Sequence, residues 1–419
     1  MRILYLCPDL GIPILGRKGA SVHVRGLVAA LCRAGHSVVL SAPLLNKSPW
    51  EEPASIAARL LHLPPSADST AAFLALKAFN HTLGVENALP GELRRLLYNQ
   101  DMVLQLMRRF ENDPPDFIYE RASLYTTVGV LLARELRVPL LVELNAPLAL
   151  EQSVYRTTGL GELAIQAERY TLSQADAVLA VSAPLRDHAV SLGVASERVH
   201  VVPNGVDTSL FQTRPPDETV RRRWGLDGGP VLGYVGGLRR WHGVGALPLL
   251  LERLGQRYRD LRLVIVGDGP LRGELECDLR QRGLTQSVVF TGAQPQEEVA
   301  ALIGQFDVAL APYAHLDHAF YFSPLKIFEY MACGIPVVAA ASGQIAEVVH
   351  DGETGLLYPP GDLEALTAAC DRLLTNSALR QRLGQAGARE IHSRYAWDHN
   401  AARVTELACS LMAAPGDNR

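Results

Sequence analysis

Short apolar runs that end at glycine and lead into amphipathic helices recur along the whole chain. No other feature limits its fold so strongly. Residues 3–7, 231–235, 261–266 and 288–290 each read as a buried strand, and a glycine-bearing turn follows each. Further strands are expected at 38–41, 117–119, 140–143, 177–181 and 199–202, with helices over about 20–34, 124–137, 160–174 and 184–192 between them. Uninterrupted apolar strands alternating with helices are what a parallel sheet covered on both faces requires. The alternation breaks at a polar stretch closing on Asp227-Gly228-Gly229-Pro230 and then starts again. The expected class is therefore α/β, with two doubly wound, Rossmann-like parallel-sheet domains. A length of 419 residues, more than one ordinary core supports, requires the same division. We place the domains at 1–207 and 208–394, with a last helix over 395–413 packing back on the first. Sites in such sheets lie at the carboxyl ends of the strands.

Composition excludes several function classes. A net charge of -4 leaves no basic footprint for nucleic acid. The six cysteines contain no C-x-x-C, which suggests a reducing compartment and no zinc site. The opening MRILYLCPDLG is strand-like, too short for a signal core, and no uncharged apolar run reaches a membrane span. A cytoplasmic protein is expected. The helical pattern over 91–110 puts Leu93, Leu96, Leu97, Val103, Leu104, Met107 and Phe110 on one stripe and Arg94, Arg95, Arg108 and Arg109 off it. Such a helix either packs on a core with its arginines in water or lies peripherally on an anionic inner membrane face.

Residues 306–339 carry the densest chemistry. Ser323-Pro324 reads as a helix start, serine as N-cap and proline at the first helical position. Lys326 then falls in the first turn, where a cation has the wrong sign unless an anion lies nearby. Glu329 follows on the same side. A helix N-terminus beside a lysine suits a phosphate, and a carboxylate one turn on can accept from sugar hydroxyls. The plainer alternative is a surface ion pair. At the other end of the chain, Gly19 opens a helix after a long loop and can bring backbone N–H groups against a phosphate. His23 lies at the start of that helix, able to bond a sugar. There is no G-x-G-x-x-G, and no acidic residue ends the second strand, which argues against an NAD site.

Several separate segments, in order, resemble glycosyltransferase family four, the retaining GT-B enzymes. They are Val202-Pro203-Asn204-Gly205-Val206-Asp207, Val266-Gly267-Asp268-Gly269-Pro270, Val289-Phe290-Thr291-Gly292, Ser323 to Val338, and Glu347 to Leu357. The resemblance implies a GT-B fold, two Rossmann-like domains facing a cleft, with a nucleoside-diphosphate sugar on the C-terminal domain and a hydroxyl acceptor on the N-terminal one. It carries over Glu329 as the ribose ligand. Diphosphate contacts fall at Gly19, Pro324 and Leu325, the base falls near Ala293 and Gln294, and His23 faces the cleft. Ser323 belongs to the same donor-binding helix start.

Three departures follow. Tyr321 stands where the family usually has a second glutamate on the donor sugar. Gly237 and His242 stand where it usually has Arg and Lys on the diphosphate, so Arg239 or Arg240 and Lys326 are the candidate replacements. Where relatives carry a histidine near the reacting sugar, the strand end here offers Glu143 and Asn145. No D-x-D occurs, so a metal-independent reaction without a cofactor is expected, with cations and helix dipoles on the diphosphate. The implied function is retaining transfer of a hexosyl group to a glycan, lipid-linked or small-molecule hydroxyl. Catalytic candidates are His23, Glu143, Lys326 and Glu329. The alternatives are a non-catalytic GT-B subunit that binds sugar or a partner, or a GT-B epimerase or phosphorylase. Acceptor choice is expected to sit in 43–115 and 144–160.

Overall fold

The computed structural model describes residues 1–46, 54–155 and 158–413. The chain divides into two compact units. One runs from Met1 to Pro203 and takes in the C-terminal stretch from Asp398; the other spans Asn204–Trp397. The first unit holds strands β1 (Arg2–Leu6), β2 (Ser37–Ala42), β3 (Arg59–His62), β4 (Phe117–Arg121), β5 (Leu140–Leu144), β6 (Ala177–Ala180) and β7 (Val199–Val201). They form one sheet in the order β3-β2-β1-β4-β5-β6-β7, parallel at every pairing. The second holds β8 (Val231–Val235), β9 (Arg262–Val266), β10 (Val288–Gly292), β11 (Val308–Ala311), β12 (Val337–Ala340) and β13 (Gly355–Tyr358). Its order is β10-β9-β8-β11-β12-β13, again all parallel. Both sheets are the Rossmann-like α/β arrangement read from the alternation. The reason is visible in β4, β5, β6, β8, β11 and β12, which are buried along their whole length. A strand covered on both faces is apolar except where a buried polar side chain finds a partner.

The segment after Pro203 belongs to the second unit because its backbone is bonded there. Val206 N–H donates to Tyr395 O and Trp397 N–H donates to Val206 O. The Asn400 side chain, past the crossing point, donates instead to Pro203 O in the first unit.

Four local readings are corrected. β4 extends through Glu120 and Arg121, both buried, Arg121 against the Glu143 carboxylate and Glu120 with one oxygen accepting from Gly129 N–H. The helix expected from residue 124 starts only at Val128, since Tyr125 takes a positive φ of 66° that no helix continues. The stretch before residue 91, for which the sequence pattern yielded no element, holds β3 and a helix over Ala67–Leu83, capped by Ser66 Oγ accepting from Ser69 N–H. The stripe proposed for 91–110 is rotated. The Leu89–Phe110 helix buries Tyr98, Met102, Leu106 and Phe110, while Leu93, Leu97 and Leu104 are exposed. Its neighbours are the Ala67–Leu83 and Val128–Leu136 helices, which select a different face from the one the arginines suggested. Residues 47–53 and 156–157, inside the stretches expected to set acceptor choice, lie outside the described residues.

Candidate functional site

In the second unit the chemistry gathers at the carboxyl ends of β8 and β11, where the Leu325–Ala332 helix begins. Pro324, not Ser323, is the helix cap, with ψ 111° and no side-chain cap bond. Ser323 cannot serve, because Asn204 occupies it: Asn204 N–H donates to Ser323 Oγ at 2.9 Å and Asn204 Nδ2 to Ser323 O at 2.6 Å. The first turn thus starts at Leu325 without a side-chain acceptor, and its N–H groups suit an anion. The helix is fixed from below by Tyr330, whose hydroxyl accepts from Val235 N–H at 2.6 Å.

Lys326 and Glu329 are not a surface ion pair. Both side chains are inside, at 7% and 6% exposure. Among the described residues no ion pair joins them, and Lys326 Nζ has no hydrogen-bond acceptor. Its neighbours are ring faces: Nζ lies 4.2 Å from the Tyr234 ring centre and 5.1 Å from that of Tyr313. Burial pulls the ammonium down to about 7, with Glu329 holding it partly up. Burial likewise pushes the Glu329 carboxyl up to about 7, against the pull of Lys326 and a hydrogen bond from Gln296. Gly236, just past β8, makes room for the lysine. Its φ is +138°, and a Cβ there would stand 2.8 Å from Nζ.

The loop that follows cannot replace the missing charge through His242. Its Nδ1 lies 2.6 Å from Gly237 O and the Tyr234 hydroxyl donates to the same oxygen at 2.9 Å. Burial, then the charge of Lys326, lower the imidazole to about 3, so it is neutral at pH 7. Arg239 and Arg240 are exposed, and the Arg239 guanidinium sits 5.2 Å over the Trp241 ring. Gln294 Nε2 donates to Thr291 O at 2.6 Å, and Ala293 beside it is exposed at the end of β10. Tyr321 is buried, stacked on His318 at 5.4 Å and tilted against Phe322 at 4.4 Å.

The first unit carries its own charged cluster on one face of β4 and β5. Register puts Arg121 beside Glu143. The buried Glu143 carboxylate takes Arg121 Nη1 at 2.8 Å, His23 Nε2 at 2.9 Å, and the Tyr119 hydroxyl and Asn145 amide as well. Although burial alone would raise it, His23 and Arg121 with these bonds hold its pKa far below the ordinary carboxylate value. The Tyr5 ring lies 5.0 Å from that of Tyr119. Gly19 is the exposed first residue of the helix bearing His23, whose cap, Lys18, makes no side-chain cap bond. Among the described residues no group of three or more His, Cys, Asp or Glu side chains is placed to hold a metal ion.

Residues 17–210 match the family described as Glycosyltransferase Family 4, and residues 229–376 match Glycosyl transferases group 1. An alpha-D-kanosaminyltransferase of Streptomyces kanamyceticus is 30% identical over 266 residues, 62% of this chain and 67% of that protein. The chain belongs to glycosyltransferase family 4. A 2-deoxystreptamine glucosyltransferase of the same organism is 33% identical over 193 residues, covering 45% of this chain and about half, 49%, of the relative. Among solved structures, a sucrose-phosphate synthase from Thermosynechococcus elongatus superposes with a TM-score of 0.74 at 21% identity, over 99% of this chain and 100% of the other. That likeness is one of fold, and the pair of Rossmann-like sheets is of the GT-B type.

Of the residues singled out in this family 4 chain by sequence, the structure brings together Ser323, Pro324, Leu325, Lys326 and Glu329, and separately His23, Glu143 and Asn145. Sequence reasoning missed Tyr119, Arg121, Tyr234, Tyr313, Gly236 and Gln296. Arg121 carried a readable signal, a charge continuing an apolar strand at its carboxyl end. The tyrosines carried none.

Proposed function

We propose that the chain transfers a hexosyl group from a nucleoside-diphosphate sugar to a hydroxyl acceptor with retention at the sugar carbon. The observation that carries this reading is the buried Lys326 Nζ without an acceptor, beside an uncapped helix start and one turn from a buried Glu329. A diphosphate supplies what both the lysine and the helix N-terminus lack, and ribose hydroxyls supply donors to Glu329. The names of the relatives, glucosyl- and kanosaminyltransferases, support a sugar as the transferred group. In the step proposed, the bond from the anomeric carbon to the diphosphate oxygen breaks and a bond to the acceptor oxygen forms on the same face. The acceptor's proton goes to the departing phosphate. The protein's part is to stabilise the leaving charge through Lys326 and the helix, and to align the acceptor. His23 and Asn145, held by Glu143, are the candidates for the acceptor side. Metal independence and the absence of a cofactor belong to the same proposal.

A thermal-shift panel of nucleoside diphosphates and their sugars tests it and names the base. Lys326→Ala should weaken transition-state stabilisation by about 1.5–3 kcal/mol. Glu329→Gln should weaken nucleotide affinity while leaving the fold intact; an unchanged dissociation constant refutes the ribose assignment. One observation favours a second reading, a sugar-binding subunit without turnover: Tyr321 is packed among His318 and Phe322 where a glutamate is usual. Absence of donor turnover at high protein concentration would select it.

No helix among the described residues is long and apolar enough to cross a membrane. Peripheral contact through 91–110 is proposed on the exposed Leu93, Leu97 and Leu104 with the exposed Arg108 and Arg109. Flotation with anionic vesicles tests it.

A further inference from the structure

Lys326 and Glu329 are one helical turn apart, both inside, and neither touches a countercharge. Lys326 Nζ meets two ring faces and no acceptor. Glu329 has an amide, Gln296, as its hydrogen-bonding partner. Taking an isolated ammonium or carboxylate out of water is far more costly than taking out the amine or the acid. Groups so placed shed their charge unless something arrives to meet it. We propose that Lys326 and Glu329 rest as a neutral amine and a neutral acid, and that a nucleoside diphosphate ionises both. The diphosphate draws a proton onto Lys326 Nζ, and the ribose hydroxyls stabilise the carboxylate as Glu329 gives one up. One proton leaves as one arrives, so the whole ligand binds with no net exchange with the buffer. The inference rests on the nucleotide-site reading above.

The surroundings agree from every side. Tyr234 of β8 and Tyr313 after β11 face Nζ, and burial raises both phenols, so neither is an anion near neutrality. His242, on the loop after β8, is lowered first of all by burial, and Arg239 pushes the same way. Tyr330, on the same helix as the couple, is raised by burial. Burial moves Lys326 and Glu329 themselves toward neutrality from opposite ends of the scale. Among the described residues Glu329 is the one carboxylate that acts on the lysine, and with Glu329 neutral at rest the negative charge that fixes the lysine's proton comes with the ligand.

The chain offers a clean probe, because it has only four lysines, Lys18, Lys47, Lys77 and Lys326. Full-length protein labelled with 13Cε-lysine is titrated by NMR, and the Lys326 resonance is assigned by its loss in Lys326→Gln. Should that variant not fold, the resonance is recognised as the one that responds to ligand. The expected result is a lysine that titrates near neutrality when free and keeps its ammonium shift past pH 9 with the stabilising nucleoside diphosphate bound. Calorimetry at pH 7 in buffers of different ionisation enthalpy covers Glu329. Corrected for the ligand's own ionisation, the parent should exchange almost no protons, and Glu329→Gln should take up about half a proton per site. A Lys326 resonance that stays charged up to pH 9 in the free protein overturns the inference, as does a proton count that Glu329→Gln leaves unchanged. If no nucleoside diphosphate binds, the nucleotide-site reading falls and this inference with it. If one binds without these proton shifts, only the inference falls.

Discussion

Replacing Glu143 with glutamine separates an anchoring carboxylate from one that meets substrate. Glu143 accepts from Arg121, His23, Tyr119 and Asn145 inside the first unit. Glutamine keeps the shape but removes the charge that Arg121 faces, and its amide turns a donor toward donors. Breaking a buried ion pair on one side costs about 3–5 kcal/mol, because the remaining charge is left without compensation. With a urea slope of about 2–3 kcal/mol/M, that moves the midpoint down by roughly 1–2 M. Tryptophan fluorescence is a poor probe, since three of the four tryptophans, Trp224, Trp241 and Trp397, lie in the second unit, and Trp50 falls outside the described residues. Hydrogen exchange of peptides from β4 and β5 during a urea titration reads the first unit directly. The pH dependence is a second handle. The folded pKa of Glu143 lies below the ordinary 4.5, so its stabilisation is present above 4.5 and lost as pH falls toward the folded value. The gap between parent and variant should therefore narrow below pH 4.5, by at most about 1.4 kcal/mol per pH unit. A loss under about 1 kcal/mol at pH 7, or a gap independent of pH, would refute the anchoring role.

Three other perturbations follow from the same geometry. Glu120 is fully buried with one bond, from Gly129 N–H at 2.8 Å, and burial pushes it up to about 8. Its stabilisation is therefore full below pH 4.5 and lost as pH rises through about 8, so Glu120→Gln should flatten that decline by at most about 5 kcal/mol in thermal melts between pH 5 and 9. Gly236→Ala should strain a backbone at φ +138° by about 1–3 kcal/mol and crowd Lys326 Nζ. A titration with nucleoside diphosphate should show affinity down by about tenfold or more, and unchanged affinity would refute the close packing. Glu92 takes the Tyr125 hydroxyl at 2.8 Å, the Thr158 hydroxyl at 2.6 Å and Gly159 N–H at 3.0 Å. Glu92→Gln should cost about 1–3 kcal/mol and speed limited proteolysis near residue 158.

What could be read in advance was whatever local pattern encodes. Strands such as β8 and β11 announce themselves because burial on both faces demands an unbroken apolar run. The Ala67–Leu83 helix does not, because it buries little beyond Ser69 and its apolar residues circle the axis, so no stripe marks it. Ser323 followed by proline looks like a cap, and only the bond to Asn204, 119 residues away, reveals that the hydroxyl is taken. Glu120 and Arg121 look like a strand's end for the same reason. Their partners are Gly129 in the next helix and Glu143 on the next strand. At the start of the Leu325–Ala332 helix, register gave Lys326 and Glu329 a common side, but a lysine and a glutamate three residues apart are usually solvated. Tyr234, on β8, and Tyr313, just past β11, wall the lysine in from 92 and 13 positions earlier in the chain.

The two units treat buried charge in opposite ways, and this separates their roles. Glu143 is saturated by four donors before any ligand arrives, so its charge is fixed and His23, Arg121 and Asn145 are held with it. That arrangement suits a surface whose geometry must stand ready for an acceptor, since preorganised partners need no rearrangement at the moment of reaction. Lys326 and Glu329 are the reverse, a buried ammonium group with no acceptor and a buried carboxyl met by an amide rather than a countercharge. In the function proposed above, a nucleotide completes them, and the free energy of doing so becomes binding energy for it. Substitutions in the first cluster should therefore appear mainly as lost stability, and those in the second as lost affinity with the fold intact. A variant of Lys326 that unfolds the second unit, or a variant of Glu143 that leaves stability untouched and abolishes turnover, would reverse the assignment.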